Sequence, residues 1–230
     1  MSSSHTVNHN SQKSLLIWTI VAVVALIAVF VGIDSASKQR APNNPSDQNN
    51  SIDAVKEDDH VKGGNFSSPV TIIEYSDFQC PACAAYYPIT KKIFETNGAK
   101  VQFVYRYFPL ESIHANALPA SQAAEAAGKQ NKFWEMHDLL FERQKEWSNE
   151  KSPRDIFARY AGELRLNTGN FIADFENPAT KDRIQKDYQS GTRARIEGTP
   201  TFFINGAKID NPRSYDEFQK LIDDVVAKKS

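Results

Sequence analysis

Four short segments of the chain after residue 65 are typical of β-strands. They are rich in β-branched and aromatic residues, and they are apolar or alternate between apolar and polar. The segments are residues 70–75, 100–107, 201–204 and 207–209. The last two are separated by Asn205 and Gly206, which is the two-residue signal of a β-hairpin.

The stretches between and after these strands have helical patterns. More than 90 residues separate the second and third segments, and they include an alanine-rich stretch that ends at Gly128. Residues 214–228 are amphipathic and begin with Ser214 and Glu217 in a capping-box spacing. The order of elements predicts one α/β domain over residues 65–230, with a helical insertion at about 111–190.

The N-terminal quarter of the chain has a different composition. Residues 15–33 form a run of 19 residues without charge. At ~1.5 Å per residue this run spans roughly 28 Å, so it predicts a single transmembrane anchor after a cytoplasmic tail of residues 1–14. A cleaved signal peptide is the alternative, and either segment would export the C-terminal domain. Residues 34–64 are polar and predict a flexible linker, including the acidic residues 57–59.

Charge and cysteine content exclude several classes of protein. The chain has 27 Lys and Arg against 28 Asp and Glu, so no bulk positive field attracts nucleic acid. The mean hydropathy of -0.51 argues against a polytopic membrane protein. The two cysteines cannot form a disulfide-dense scaffold, an iron–sulfur site or a four-cysteine zinc site.

Both cysteines lie in the sequence Cys80-Pro81-Ala82-Cys83, between the first predicted strand and a predicted helix. Cys80 would lie at the helix N-terminus, where free N–H groups and the helix dipole favour a thiolate. This context favours a redox pair whose sulfurs can bond across the first helical turn. Two inert buried cysteines, or half of a zinc site completed by His114, His137 or a second chain, are the alternatives.

A second motif lies far away in the sequence. Thr199 and Pro200 follow Gly198 and open the third predicted strand. Proline is permitted at the start of a strand, and after a tight turn its peptide bond is a candidate for the cis form.

Together these motifs resemble the DsbA family of thiol–disulfide oxidoreductases. The similar stretches are EYSDFQCPAC at residues 74–83 and GTPTFFING at residues 198–206, and the resemblance extends over about residues 66–226. It implies a thioredoxin fold with the helical insertion between its βαβ and ββα halves. It also implies that the protein introduces disulfides into exported proteins.

The resemblance assigns roles to individual residues. Cys80 matches the exposed cysteine that is attacked, Cys83 matches the buried resolving cysteine, and the two would form the Cys80–Cys83 disulfide. Glu74 matches a buried acid that assists proton transfer. The substrate-binding positions are Thr199, Pro200, Pro81 and Ala82. Many DsbA proteins have histidine in place of Ala82, so the strength of this protein as an oxidant is open.

The resemblance also predicts the setting in which the protein works. Its partners would be folding exported proteins with free thiols and a quinone-linked membrane reoxidant of the DsbB or VKOR type. The catalytic domain would be a monomer on the periplasmic side of a bacterial cytoplasmic membrane, and no organic cofactor or metal is implied. A thiol–disulfide reductase or isomerase, a non-catalytic chaperone or adaptor, and a metal carrier are the alternative functions.

Overall fold

The computed structural model describes residues 52–64 and 67–228, which form a mixed α/β domain. The strands are β1 (His60–Lys62), β2 (Val70–Ser76), β3 (Val101–Tyr107), β4 (Thr201–Ile204) and β5 (Ala207–Lys208). The helices are α1 (Pro81–Asn97), α2 (Ala117–Gly128), α3 (Phe133–Glu142), α4 (Gln144–Trp147), α5 (Arg154–Glu163), α6 (Thr168–Glu176), α7 (Pro178–Arg193) and α8 (Tyr215–Ala227).

The strands form one sheet in the order β1-β3-β2-β4-β5. Strands β2 and β3 are parallel and joined by α1, whereas β4 runs antiparallel to β2. The helices α2 to α7 lie between β3 and β4, so the predicted helical insertion is confirmed. The first half is therefore βαβ and the second half is ββα, as the predicted order of elements requires.

Both faces of the sheet are buried. On one face Val70 and Ile72 pack with residues of α1 and α8, including Phe218. On the other face Ile73, Tyr75 and their neighbours form a second apolar cluster. Because successive side chains of a strand point to opposite faces, Glu74 and Ser76 lie on the same face as Val70 and Ile72. That face becomes polar toward the C-terminal end of β2.

Turns and caps form where the sequence predicts them. Asn205 and Gly206 have φ values of 48° and 84° and close the hairpin between β4 and β5. The Oγ of Ser214 accepts a hydrogen bond of 3.2 Å from the N–H of Glu217 and so caps α8. The helix α1 contains Pro88 and continues to Asn97.

Residues 52–64, which the composition assigns to the linker, belong instead to the domain. His60–Lys62 forms β1, which pairs antiparallel with β3 at the edge of the sheet. The side chains of Ile52, Val55 and Val61 pack against the second apolar cluster. The linker prediction is therefore wrong for this part, because its few apolar residues are partly buried against the sheet.

A buried ion pair explains why this polar segment is held in place. The Nη2 of Arg106 in β3 lies 2.7 Å from the Oδ2 of Asp59, and only 1% of either side chain is exposed. The guanidinium also donates to the backbone carbonyls of Asp53 and Ala54, each at 2.9 Å. A buried arginine needs such partners. The assignment of the acidic residues 57–59 to a flexible linker is thus wrong for Asp59.

His60 adds a second polar attachment between this segment and the helical insertion. Its Nε2 lies 2.7 Å from the Oε2 of Glu125 in α2, and its ring stacks on Phe133 at 3.5 Å between centroids.

The predicted tail, residues 1–14, and the predicted anchor, residues 15–33, lie outside the described residues. Within residues 52–64 and 67–228, every helix is too short or too polar to cross a bilayer.

We expect Asp59→Ala to lower the free energy of unfolding by about 3–5 kcal/mol, because it leaves a buried guanidinium without its counter-charge. Glu57→Ala is the control: Glu57 belongs to the same acidic group but is exposed, and its loss is expected to change stability by less than about 0.5 kcal/mol. Urea unfolding of the full chain measures both values. Equal losses in the two variants would contradict the structural role of Asp59.

Candidate active site

The two cysteines lie where β2 passes into α1. Cys80 is the N-cap residue, with φ of -67° and ψ of 124°, and Pro81 occupies the start of the helix. The carbonyl of Cys80 accepts a hydrogen bond of 3.1 Å from the N–H of Ala84. The predicted position of Cys80 at a helix N-terminus is therefore confirmed. The free N–H groups there favour a negative charge on its sulfur.

Asp77 organises the loop that leads to Cys80. Its carboxylate is fully buried and accepts hydrogen bonds from the N–H of Gln79 at 2.8 Å and from the N–H of Leu110 at 3.0 Å. The same group contacts the Nδ1 of His114 at 2.7 Å. These bonds tie the loop after β2 to the loop after β3.

The helical insertion holds the loop through the amide side chains of Gln79 and Gln144. Gln79 donates to the carbonyl of Ser148 at 2.7 Å and accepts from the N–H of Asn116 at 2.6 Å. Gln144 donates to the carbonyl of Cys80 at 3.1 Å. Since each partner is more than 30 residues away in the chain, no local sequence pattern predicts these contacts.

The second motif lies directly against the first. The pairing of Tyr75 with Thr201 brings the start of β4 beside the end of β2. The Thr199–Pro200 peptide bond is cis, as predicted. The Sγ of Cys80 lies 3.4 Å from the carbonyl oxygen of Thr199, to which the thiol donates a hydrogen bond.

Cys80 is held in surroundings that favour its thiolate. Hydrogen bonds from the side chains of Cys83 and Thr199 and from the N–H groups of Ala82 and Cys83 lower the pKa of Cys80 to about 5, although burial acts in the opposite direction. Among residues 52–64 and 67–228, the Thr199 hydroxyl has no hydrogen-bond partner while Cys80 is a thiol. It is therefore available to donate when the thiolate forms.

Cys80 is less exposed than the resemblance implies. Only 6% of the residue is accessible, and both cysteines are free thiols. The Thr199–Pro200 loop covers the sulfur from one side, which accounts for the small opening.

Cys83 has the opposite chemistry. It is fully buried, and burial together with the negative charges of Cys80 and Glu74 raises the pKa of Cys83 well above its ordinary value. One cysteine of the pair is thus stabilised as an anion and the other as a thiol.

Glu74 lies in the middle of β2 and is 4% exposed. Burial is the main cause that raises the pKa of Glu74 to about 7, and the charge of Cys80 adds to it. A carboxyl group that is half-protonated near neutral pH can both accept and donate a proton. The structure places this group among the charges that act on Cys83.

The remaining predicted substrate-binding residues lie around the opening to the sulfur. Pro81 and Ala82 are exposed at the tip of α1, whereas Pro200 is buried and Thr199 is half-buried. A groove continues from the Thr199–Pro200 loop. It is lined by Glu197, Lys208, Ile209, Asp210 and Asn211.

The two histidines that could complete a zinc site have other partners. His114 contacts Asp77, and the buried His137 lies 2.9 Å from Asp138. Burial lowers the pKa of His137, which keeps its ring neutral. In the part of the chain that the structure describes, no group of three His, Cys, Asp or Glu residues is arranged to hold a metal ion.

The pKa of Cys80 is about 5 in the parent chain. We expect Thr199→Val to raise it by roughly one unit, because the substitution removes a hydrogen-bond donor to the thiolate. The ultraviolet absorbance of the thiolate against pH measures the pKa, with Cys80→Ser as the blank. Thr201→Val is the matched control, since the Thr201 hydroxyl donates to the carbonyl of Gly198 instead. A pKa near the ordinary thiol value in the parent chain would contradict the assigned geometry.

The same titration has a consequence for stability. Since folding lowers the pKa of Cys80, the reduced protein gains stability above its ordinary pKa and loses it as the pH falls through about 5.

Comparison with known proteins agrees with this arrangement. A family model described as thioredoxin matches residues 56–224. Two solved structures share the fold. Oxidised BdbD from Bacillus subtilis has a TM-score of 0.66 at 23% identity and covers 77% of this chain and 97% of its own. The α-DsbA1 protein of Wolbachia pipientis has a TM-score of 0.67 at 22% identity and covers 76% of this chain and 94% of its own.

Curated relatives match in sequence over a limited part of their length. A protein of Salinispora tropica named Na(+)/H(+) antiporter NhaA 3 is 38% identical over 154 residues, which are 67% of this chain and 22% of that protein. A protein of Salinispora arenicola with the name NhaA 1 is 39% identical over 150 residues, which are 65% of this chain and 22% of that protein. This chain therefore spans about a fifth of the length of these relatives.

The family match covers the sheet, the cysteine pair and the Thr199–Pro200 loop, and the shared fold includes the helical insertion. The chain belongs to the thioredoxin family, and it shares its fold with BdbD and α-DsbA1.

Proposed function

We propose that the protein is a disulfide oxidase, which donates the Cys80–Cys83 disulfide to folding exported proteins. The observation that carries the proposal is the opposed acidity of the two thiols, with the pKa of Cys80 lowered and that of Cys83 raised. Stabilising the Cys80 thiolate favours the reduced pair. The disulfide is therefore a strong oxidant, and Cys80 is a good leaving group.

The reaction begins when a substrate thiolate attacks the Sγ of Cys80 in the oxidised protein. The Cys80–Cys83 bond breaks, and the sulfur of Cys83 takes a proton from Glu74. A second substrate thiolate then attacks the substrate sulfur of the mixed disulfide, and Cys80 leaves as a thiolate. The substrate has lost two electrons and the protein has gained them.

The substrate would lie extended along the groove beside Thr199 and Pro200. Backbone hydrogen bonds to an extended chain read little sequence, so many exported proteins can be accepted. Exposed Pro81 and Ala82 would form the other side of the opening. Reoxidation would pass the two electrons to a quinone-linked membrane protein of the DsbB or VKOR type.

A thiol–disulfide reductase is the second candidate function, and it differs from the oxidase in the direction of the reaction. Ala82 occupies the position where many DsbA proteins have a histidine that stabilises the thiolate. Here the donors to Cys80 come from Cys83, Thr199 and the backbone. Their number supports the oxidase.

We expect a reduction potential nearer to ~-120 mV than to ~-270 mV when the full chain is equilibrated with glutathione buffers. The reduced form is favoured because Cys80 is stabilised as an anion. In Cys83→Ser the Cys80 thiolate should attack glutathione disulfide, release one glutathione thiolate and accumulate as the mixed disulfide, whereas Cys80→Ser should form none. A potential near ~-270 mV would instead assign the protein as a reductase.

We further propose that residues 15–33 anchor the protein in a bacterial cytoplasmic membrane, with the domain as a monomer on the periplasmic side. We expect the full chain to remain in membranes washed with alkaline carbonate. Protease added to intact spheroplasts should digest the domain. Removing residues 1–33 and supplying a cleavable signal peptide is the control, since it should release the domain in soluble form. Protection of the domain from the protease would contradict this orientation.

A further inference from the structure

The sheet face beneath Cys83 carries an unusual group of buried polar side chains. In the parallel register of β2 and β3, Glu74 is the direct neighbour of Tyr105. Ser76 lies two residues after Glu74, so it points to the same face. Tyr105 and Cys83 belong to the same buried cluster. Farther from Cys83, this face of the sheet carries apolar residues such as Ile72 and Phe103. The buried polar side chains are therefore confined to the part of the face beside the two cysteines.

The hydroxyls of Ser76 and Tyr105 are both buried and unpaired. Each residue is fully inaccessible, and neither hydroxyl has a hydrogen-bond partner among residues 52–64 and 67–228. In the same ranges, the third buried side-chain polar atom of this kind is the Oγ1 of Thr199, beside Cys80. Buried polar groups normally have partners, and an exception requires a reason. All three exceptions lie around the reacting sulfurs.

We propose that Ser76 and Tyr105 are positioning residues for disulfide exchange, whose hydroxyls donate hydrogen bonds to the negative charge that appears on Cys83 or Glu74 during the reaction. This proposal rests on the proposed function, because it requires the Cys80–Cys83 pair to exchange disulfides, either as an oxidase or as a reductase. It explains why the hydroxyls are unpaired when Cys83 and Glu74 are both protonated, since their acceptor is present only when one of these two groups is charged.

The charge must move because the second step begins from a buried thiol. When a mixed disulfide has formed on Cys80, Cys83 gives its proton to the Glu74 carboxylate and attacks the Sγ of Cys80. The thiolate of the other partner leaves. Before the transfer the charge is on Glu74, and during the attack it is on Cys83. A donor that serves both positions lowers the cost of moving the charge within a buried site.

Electrostatics around Tyr105 supports a role as donor. The charges of Glu74, Cys83 and Asp77 add to the effect of burial and raise the pKa of Tyr105 well above its ordinary value, so the hydroxyl keeps its proton. From α3, the neutral ring of His137 packs against Tyr105 at 5.1 Å between centroids.

Ser76 acts on the same group in a consistent direction. Its hydroxyl lowers the pKa of Glu74, of Cys83 and of Tyr105, because it can donate to each of these groups when that group is charged. This is the effect expected of a donor to the charged form. The two hydroxyls therefore approach the same charges from adjacent strands.

The test measures the two steps of oxidation by glutathione disulfide separately. The Cys80 thiolate first forms a mixed disulfide and releases one glutathione thiolate. Cys83 then closes the protein disulfide and releases the second, so that two electrons pass to glutathione disulfide. Rapid acid quench and mass spectrometry of the full chain give both rates. Tyr105→Phe and Ser76→Ala each remove one hydroxyl. Because the two variants are independent, Ser76→Ala still tests the inference if Tyr105→Phe fails to fold.

We expect Tyr105→Phe to slow the second step by roughly tenfold to a hundredfold, with the first step unchanged, as for the loss of a hydrogen bond to a charged group. The pH at which the second step reaches half its maximal rate should rise by about one unit. Ser76→Ala should change the second step in the same direction.

Tyr107→Phe is the matched control, because it lies on the same strand face but its hydroxyl donates to Glu125 at 3.0 Å. It should leave both steps and the pH profile unchanged. Parental second-step rates in both Tyr105→Phe and Ser76→Ala would overturn the inference, as would an unchanged pH profile. If the parent chain formed no mixed disulfide at all, the proposed function would fail and this inference with it.

Discussion

The antiparallel pairing of β2 with β4 is the constraint on which the site depends. It joins the two halves of a thioredoxin-like domain whose halves are separated in sequence by six helices. It also brings together Cys80 and Thr199, which are 119 positions apart in the chain. Neither motif is sufficient alone, since the helix N-terminus supplies N–H groups and the loop supplies the hydroxyl and carbonyl that contact the sulfur.

Beneath that junction, the protein interior carries a small number of acidic groups that compete for negative charge. Cys80, Cys83 and Glu74 are close enough for the charge of one to change the pKa of another. In such a coupled site, protons are lost by the group as a whole and not by each residue independently. In the dithiol state the geometry stabilises the negative charge on Cys80. The pKa of Glu74 is raised to about 7, and the pKa of Cys83 is raised well above its ordinary value.

Much of this could be predicted from local sequence patterns. The hairpin at Asn205, the position of Cys80 and the helical insertion all depend on signals within a few residues, and the structure confirms them. The attachment of residues 52–64 could not be predicted, because it depends on Arg106 meeting Asp59 across 47 positions. An arginine within a strand that is otherwise mostly apolar is the local signal that points to such a partner. The amide contacts of the active-site loop are equally non-local.

The hydrogen-bond donors that surround Cys80 affect how the proposed Cys80–Cys83 disulfide changes the stability of the protein. In the dithiol state the Thr199 side chain and the N–H groups of the first helical turn act on a thiolate. Once the two sulfurs are bonded, that anion no longer exists and the donors lose their acceptor. The ring closed by two neighbouring cysteines restricts the unfolded chain only slightly. We therefore expect formation of the proposed Cys80–Cys83 disulfide to lower the free energy of unfolding, so that the reduced protein has the higher melting temperature.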